Sequence, residues 1–259
     1  MKKATIVSAA ILLTASFFMS CKKDDAVQEP AVKANVFTAS GDINAKLTDF
    51  RNQLGTTLNT APGATGGRRE INWDAVPASF TNVNNFPLDF FGSADPALAN
   101  GRKRGFVLLG GTNFRVDSTD FIDLDASFGA QFDAFSPKKL FAYTTNVVTE
   151  AIFKVPGTTT DATIKGFGVI FSGVDNPTST YIEYFNGSKS LGVYYAPVRT
   201  VGSTFSLLGV YFPDEKITKA KITVGSATLA SGIRDISVGG SADLVVMDDF
   251  LYDEPVAKL

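Results

Sequence analysis

Two runs of this chain, Ile164 to Val174 and Phe205 to Phe212, carry apolar side chains on both strand parities; the first sets Phe167, Val169 and Phe171 against Ile164 and Ile170. Side chains alternate along a strand, so a run with two apolar faces is stable only where it is covered on both sides. These segments are therefore read as central strands. Ile217 to Val224 differs, with Thr218, Ala220, Ile222 and Val224 on one parity and Lys219, Lys221 and Thr223 on the other, which predicts a strand with one wet face. Asn186-Gly187, between Tyr181–Phe185 and Leu191–Tyr195, reads as a tight hairpin, because both residue types tolerate positive φ. Turn residues recur at short intervals, with no βαβ alternation and no internal repeat. The fold class that follows is all-β, an antiparallel β-sandwich of jelly-roll-like form.

One stretch has the helical period. Ile43, Leu47, Phe50 and Leu54 form a single apolar stripe, which predicts a short amphipathic helix ahead of the sandwich. Ser40 or Asp42 is placed to cap it and Gly55 to end it. The segment from Asn59 to Gly67, rich in Thr, Pro and Gly, reads as a loop.

The N-terminus carries an address. Lys2-Lys3, an apolar run from Ala4 to Phe18 and the small Ser20 stand before Cys21, the one cysteine of the chain. A charged start and a short apolar run describe a secretory signal rather than a membrane span. A thiol at that boundary is where a lipoprotein precursor is cut and acylated with palmitate-type chains. The domain organisation is thus read as 1–20 signal peptide, 21–38 flexible acylated tether and 39–259 a single β-sandwich domain with its helix. Cys21-Lys22-Lys23-Asp24-Asp25 resembles the export signal of Bacteroidota-like surface lipoproteins. That resemblance implies an outer-membrane protein facing the cell exterior, with the membrane as its partner through the lipid anchor.

Composition narrows the chemistry. The chain has no histidine, which excludes Ser-His-Asp and Cys-His catalysis and removes imidazole as a metal ligand. With Cys21 acylated, only oxygen-ligand metals remain, calcium first. The formal charge of −2, from 24 basic and 26 acidic residues, becomes −4 once Lys2 and Lys3 leave with the signal. That balance offers no electrostatic footprint for nucleic acid.

Gly67-Arg68-Arg69-Glu70-Ile71-Asn72-Trp73-Asp74-Ala75-Val76-Pro77 is the densest constellation, with the only Trp among charges and an amide. Arg69, Trp73 and Asp74 are its candidate ligand-binding residues for a glycan or a surface protein, Trp73 as stacking platform and Asp74 as acceptor; a buried Trp beside a salt-bridged strand edge is the other reading. The segment resembles a group of secreted bacterial proteins that share a GRREINWDGVP signature, Ala75 standing in place of its second Gly. The likeness continues through Leu88–Phe91, Phe135–Pro137, Gly166–Phe171 and Val245–Pro255. It implies one continuous domain and transfers no catalytic residue.

Asp248 and Asp249 interrupt an apolar run, and strand alternation places Asp248 with Val246 and Phe250, and Asp249 with Met247 and Leu251. A buried carboxylate needs a cation or hydrogen-bond donors. The pair is therefore either a structural calcium site or an internal network that pins the last strand. Asp117, Asp120, Asp123 and Asp125 lack the spacing of a calcium-binding EF-hand loop. Gly101-Arg102-Lys103-Arg104-Gly105 is a basic turn suited to anionic lipopolysaccharide or acidic glycans. Glu70, Asp74, Glu150, Glu183 and Asp248 are the carboxylates open to a glycan hydrolase or lyase, the alternative to a non-catalytic binding or structural module.

Overall fold

The computed structural model describes Met1 and residues 32–258. Cys21 and the signal before it lie outside the described residues. Part of the segment read as tether is strand: β1 (Asn35–Ser40) pairs along the edge of β11 (Phe205–Tyr211), and Phe37 packs on Phe50 at 5.2 Å. Helix α1 (Asn44–Leu54) follows, then β2 (Arg68–Ile71), β3 (Phe106–Leu109), β4 (Phe114–Asp117), β5 (Leu140–Tyr143), β6 (Val148–Phe153), β7 (Ala162–Thr163) and β8 (Gly166–Ser172). The chain continues through β9 (Tyr181–Asn186), β10 (Lys189–Tyr195), β11, β12 (Lys219–Thr223), β13 (Val246–Asp253) and β14 (Val256–Ala257). No helix among the described residues is long and apolar enough to cross a membrane.

Two antiparallel sheets make the sandwich. The larger runs β1-β11-β8-β13-β5-β4, with β2 also on β13; the smaller runs β10-β9-β12-β6-β3. Their inner faces meet in one core, Val169, Phe171, Leu208 and Phe250 from the first against Phe106, Phe153, Ile182 and Ile222 from the second. Each such side chain contributes about 1.5–3 kcal/mol by leaving water. Helix α1 covers the far side of the larger sheet, laying Leu47, Phe50 and Leu54 on Ile170, Leu207 and Leu251. Sheet on one side and helix on the other explain why all seven residues of β8 are buried. In β12, Ala220 and Ile222 are fully buried while Lys219 and Lys221 are half-buried.

The hairpin turns one residue later than Asn186-Gly187 suggests. Asn186 stays in the ladder opposite Lys189, its amide donates to Glu215 Oε2 at 3.1 Å, and only Gly187 of the Gly187-Ser188 loop has positive φ. At the start of α1 the Asp42 carboxylate accepts from the Asn44 amide at 3.1 Å, and at its end the Gly55 amide, at φ 139°, donates to the Arg51 carbonyl.

A pair of glycines lets the helix approach. Gly168 and Gly209 are opposite one another on β8 and β11, and a Cβ on Gly209 would come within 2.8 Å of three ring atoms of Phe50. Gly209→Ala is therefore expected to cost about 1–3 kcal/mol in urea denaturation through overpacking, with part recovered by Phe50→Leu. A loss below about 0.5 kcal/mol would mean that the ring yields freely.

A candidate ligand pocket and a buried carboxylate pair

Strand β13 lies against β8 on one edge, and on the other against β5 at Met247 and then β2 from Phe250 to Asp253. Between Met247, opposite Phe171, and Phe250, opposite Val169, stand two residues against the single Ile170. This is a β-bulge, and it reverses the parity of the strand. Met247 and Phe250 consequently both face the inter-sheet core, which corrects the alternation expected for this run.

The two bulge residues are Asp248 and Asp249, 0% and 2% exposed. Oδ2 of Asp248 accepts from the amides of Phe135 at 2.5 Å and Ser136 at 3.2 Å, while Ser136 Oγ donates to Asp249 Oδ1 at 2.7 Å. Oδ1 of Asp248 has no protein donor, and the neighbouring Asp249 carboxyl acts on it. Burial first, then the neighbouring Asp249, drives Asp248 far above the ordinary carboxylate range; burial raises Asp249 less, because Ser136 offsets it. Calcium takes six to eight oxygen ligands and ionised carboxylates. In this pair Asp248 Oδ2 and Asp249 Oδ1 face amide and hydroxyl donors, an internal hydrogen-bond network, while Asp248 Oδ1 has no donor.

The signature segment leaves its strand directly after Ile71. Trp73 has φ 62°, a costly conformation for a bulky residue, and two short bonds close the turn: Asp74 N to Asn72 O at 2.7 Å and Val76 N to Trp73 O at 2.8 Å. Packing holds the strained residue. The indole lies flat on Phe141 at 4.1 Å, meets Phe250 edge-on at 5.2 Å, and donates from Nε1 to the Asp248 carbonyl at 2.6 Å. At 1% exposure Trp73 is a core residue, so its face is not open to a sugar as a stacking platform.

Trp73 nonetheless contributes to the wall of a cavity of about 370 Å³. Phe90 and Phe91 give it an aromatic floor; Ile71, Ala75, Pro77, Leu98 and Ala99 add to the apolar lining; Glu70, Asn72, Arg102 and Arg104 are the polar residues at the rim. Two segments singled out in the sequence, the signature and the basic turn, thus meet at one opening. Arg102 lies over the Phe90 ring at 3.6 Å and donates from Nε to its carbonyl at 2.7 Å. Arg104 donates from Nη1 to the Glu70 carbonyl at 2.8 Å, and its Nε is buried without an acceptor. Burial draws both guanidinium groups below their ordinary value. Glu70 is pulled upward by burial, but bonds from Arg51 at 2.7 and 2.9 Å and Arg68 at 2.6 Å outweigh this and hold its carboxyl below the usual range.

The other two residues named for this site lie elsewhere. Arg69 is fully buried in a bidentate pair with Glu254, at 2.7 and 2.8 Å. Asp74 does not line the cavity; burial raises its pKa, partly offset by Lys139 and Lys138, and its Oδ1 is buried without a donor. Phe90, Phe91 and Leu98 are lining residues that sequence reasoning did not assign to a site. Phe90-Phe91 belonged to the shared segments, yet nothing local distinguishes a pocket floor from core.

Further carboxylates have structural partners. Glu150 pairs with Lys219 at 2.8 Å and Glu183 accepts from Ser190 at 3.0 Å, both opposite Lys221 on the smaller sheet. Asp117 pairs with Arg115 at 2.6 Å, and Asp125 caps a short turn by accepting from the Ser127 amide. Asp175, Asp235 and Asp243 bring carboxylate oxygens within 4.8 Å of one another, a donor set open to a cation, with the Arg199 guanidinium already on Asp175 at 2.7 Å. Their spacing in the chain carries no sign of this meeting. No protein-family model matches the chain, and no curated protein matches it.

Proposed function

We propose that this protein is a non-catalytic binding module, held at the outer membrane by acyl chains on Cys21, whose ligand site is the cavity between segments 70–77 and 90–104. The observation that carries the reading is the composition of that cavity: an aromatic floor with a cationic rim, the pattern of a pocket that takes a ligand with apolar and polar ends. A glycan terminus, a small molecule or a side chain of a surface protein is of suitable size. A hydrolase needs two carboxylates roughly 5–10 Å apart. Among the described residues Glu70 is the one carboxylate in the lining, and Arg51 and Arg68 occupy it, which favours binding over turnover.

Trp73 is the only tryptophan, so its emission reports on the pocket directly. Screening sugars and small acids against the purified protein is expected to give a saturable change in that emission with at least one class. A flat response throughout, with no shift in melting temperature, discards the pocket as a ligand site. The anchor has its own readout: palmitate labelling is expected in the native chain and lost in Cys21→Ala.

A further inference from the structure

We infer that the ligand of this pocket is an organic acid, a carboxylate carried on an apolar body; the inference rests on the pocket being a ligand site. Arg51, Arg68, Arg69, Arg115 and Arg199 each pair with a carboxylate. Three arginines among the described residues have no carboxylate oxygen within 4.0 Å: Arg102, Arg104 and Arg234. Two of these three line the same cavity.

Their own bonds explain how the charge is kept available. Each guanidinium is positioned by a backbone carbonyl, Phe90 for Arg102 and Glu70 for Arg104, which fixes the side chain without neutralising it. A half-buried guanidinium with free N–H groups binds a carboxylate through short, charge-assisted and often bidentate bonds. Glu70 does not oppose an incoming anion, since two other arginines already compensate it. Behind the rim the lining is mostly apolar, Ile71, Ala75, Pro77, Phe91 and Leu98 with Asn72 as the one amide, which suits an aryl or acyl body better than a polyhydroxylated one.

The test compares 4-phenylbutyrate, its neutral amide and galacturonate by titrating Trp73 emission in the full-length protein at neutral pH. The aryl acid is expected to bind about tenfold or more tightly than the amide, the size of a charge-assisted contact. Arg102→Gln and Arg104→Gln should each abolish the preference for the acid over the amide, both measured on the same variant, while Arg104→Lys retains part of it. Melting temperatures of the variants are measured alongside, and if Arg104→Gln fails to fold, Arg102→Gln decides. Equal affinity for acid and amide overturns the inference while leaving the pocket as a binding site. Galacturonate binding as tightly as the aryl acid overturns the apolar body. A response to none of the three overturns the organic-acid assignment, and a flat response across the wider sugar and acid screen overturns the pocket itself.

Discussion

Replacing Arg69 with methionine is expected to destabilise the folded domain by about 3–5 kcal/mol, because the Glu254 carboxylate would remain buried without its counter-charge. The two side chains are 0% and 3% exposed, and two parallel bonds at 2.7 and 2.8 Å join them. The pair is also a junction. Arg69 Nη2 donates to the Ala61 carbonyl at 2.9 Å, Asn59 Nδ2 reaches Glu254 at 2.8 Å, and the Glu254 amide donates to the Gly67 carbonyl. Loop 55–67, β2 and the chain just beyond β13 are therefore tied at one point. Desolvating two ions offsets much of their attraction, so the pair as a whole is worth far less than breaking it costs. Arg69→Met with Glu254→Met should accordingly recover most of the loss, a non-additive result that a double-mutant cycle in urea would measure. A single-substitution loss below about 1 kcal/mol would show that water reaches the carboxylate.

What could be read in the sequence followed from side-chain period. The doubly apolar runs became β8 and β11, enclosed by sheet and helix, and the alternation of β12 put its lysines on the outer side. The helix from Ile43 to Leu54 announced itself by one stripe. Period fails where the backbone departs from regularity. The bulge at Asp248-Asp249 left only two acids in an apolar run as its trace, and the parity beyond it could not be known without the partner strand. Period also names a side of the strand, never the neighbour waiting there: Arg69 looked like a ligand-binding residue because Glu254, 185 positions away, is invisible locally. The pocket shows the same limit. The signature and the basic turn were each conspicuous, and the fold alone brings them to one opening.

Asp248→Asn is expected to make the protein progressively more stable than the native chain as pH rises. Burial and the Asp249 charge push the Asp248 pKa up to about 9, whereas in the unfolded chain it falls near 3.9. Over that interval the folded state keeps a proton that the unfolded state has released. The native contribution is therefore fully present below the unfolded value, is lost as pH climbs, and levels off above about 9. The slope for one such group is about 1.4 kcal/mol per pH unit, so the variant should gain roughly 3–4 kcal/mol on the native protein between about pH 5 and pH 8. Asp249 and Asp253, each raised to about 6 chiefly by burial, steepen the fall at its acidic end in both proteins and cancel from the comparison to the extent that the substitution leaves them unchanged. Asparagine has no proton to lose. Its carbonyl oxygen can still accept from the Phe135 and Ser136 amides, and its amide can donate to Asp249, so the bulge keeps its bonds. Trp73 supplies a local check, since its Nε1 is bonded to the Asp248 carbonyl and its emission reports whether the bulge survives. Urea midpoints at acid, neutral and alkaline pH, followed by that emission, decide the matter. A gap between variant and native protein that fails to widen with pH would place the proton elsewhere and return the pair to the charged state that a bound cation requires.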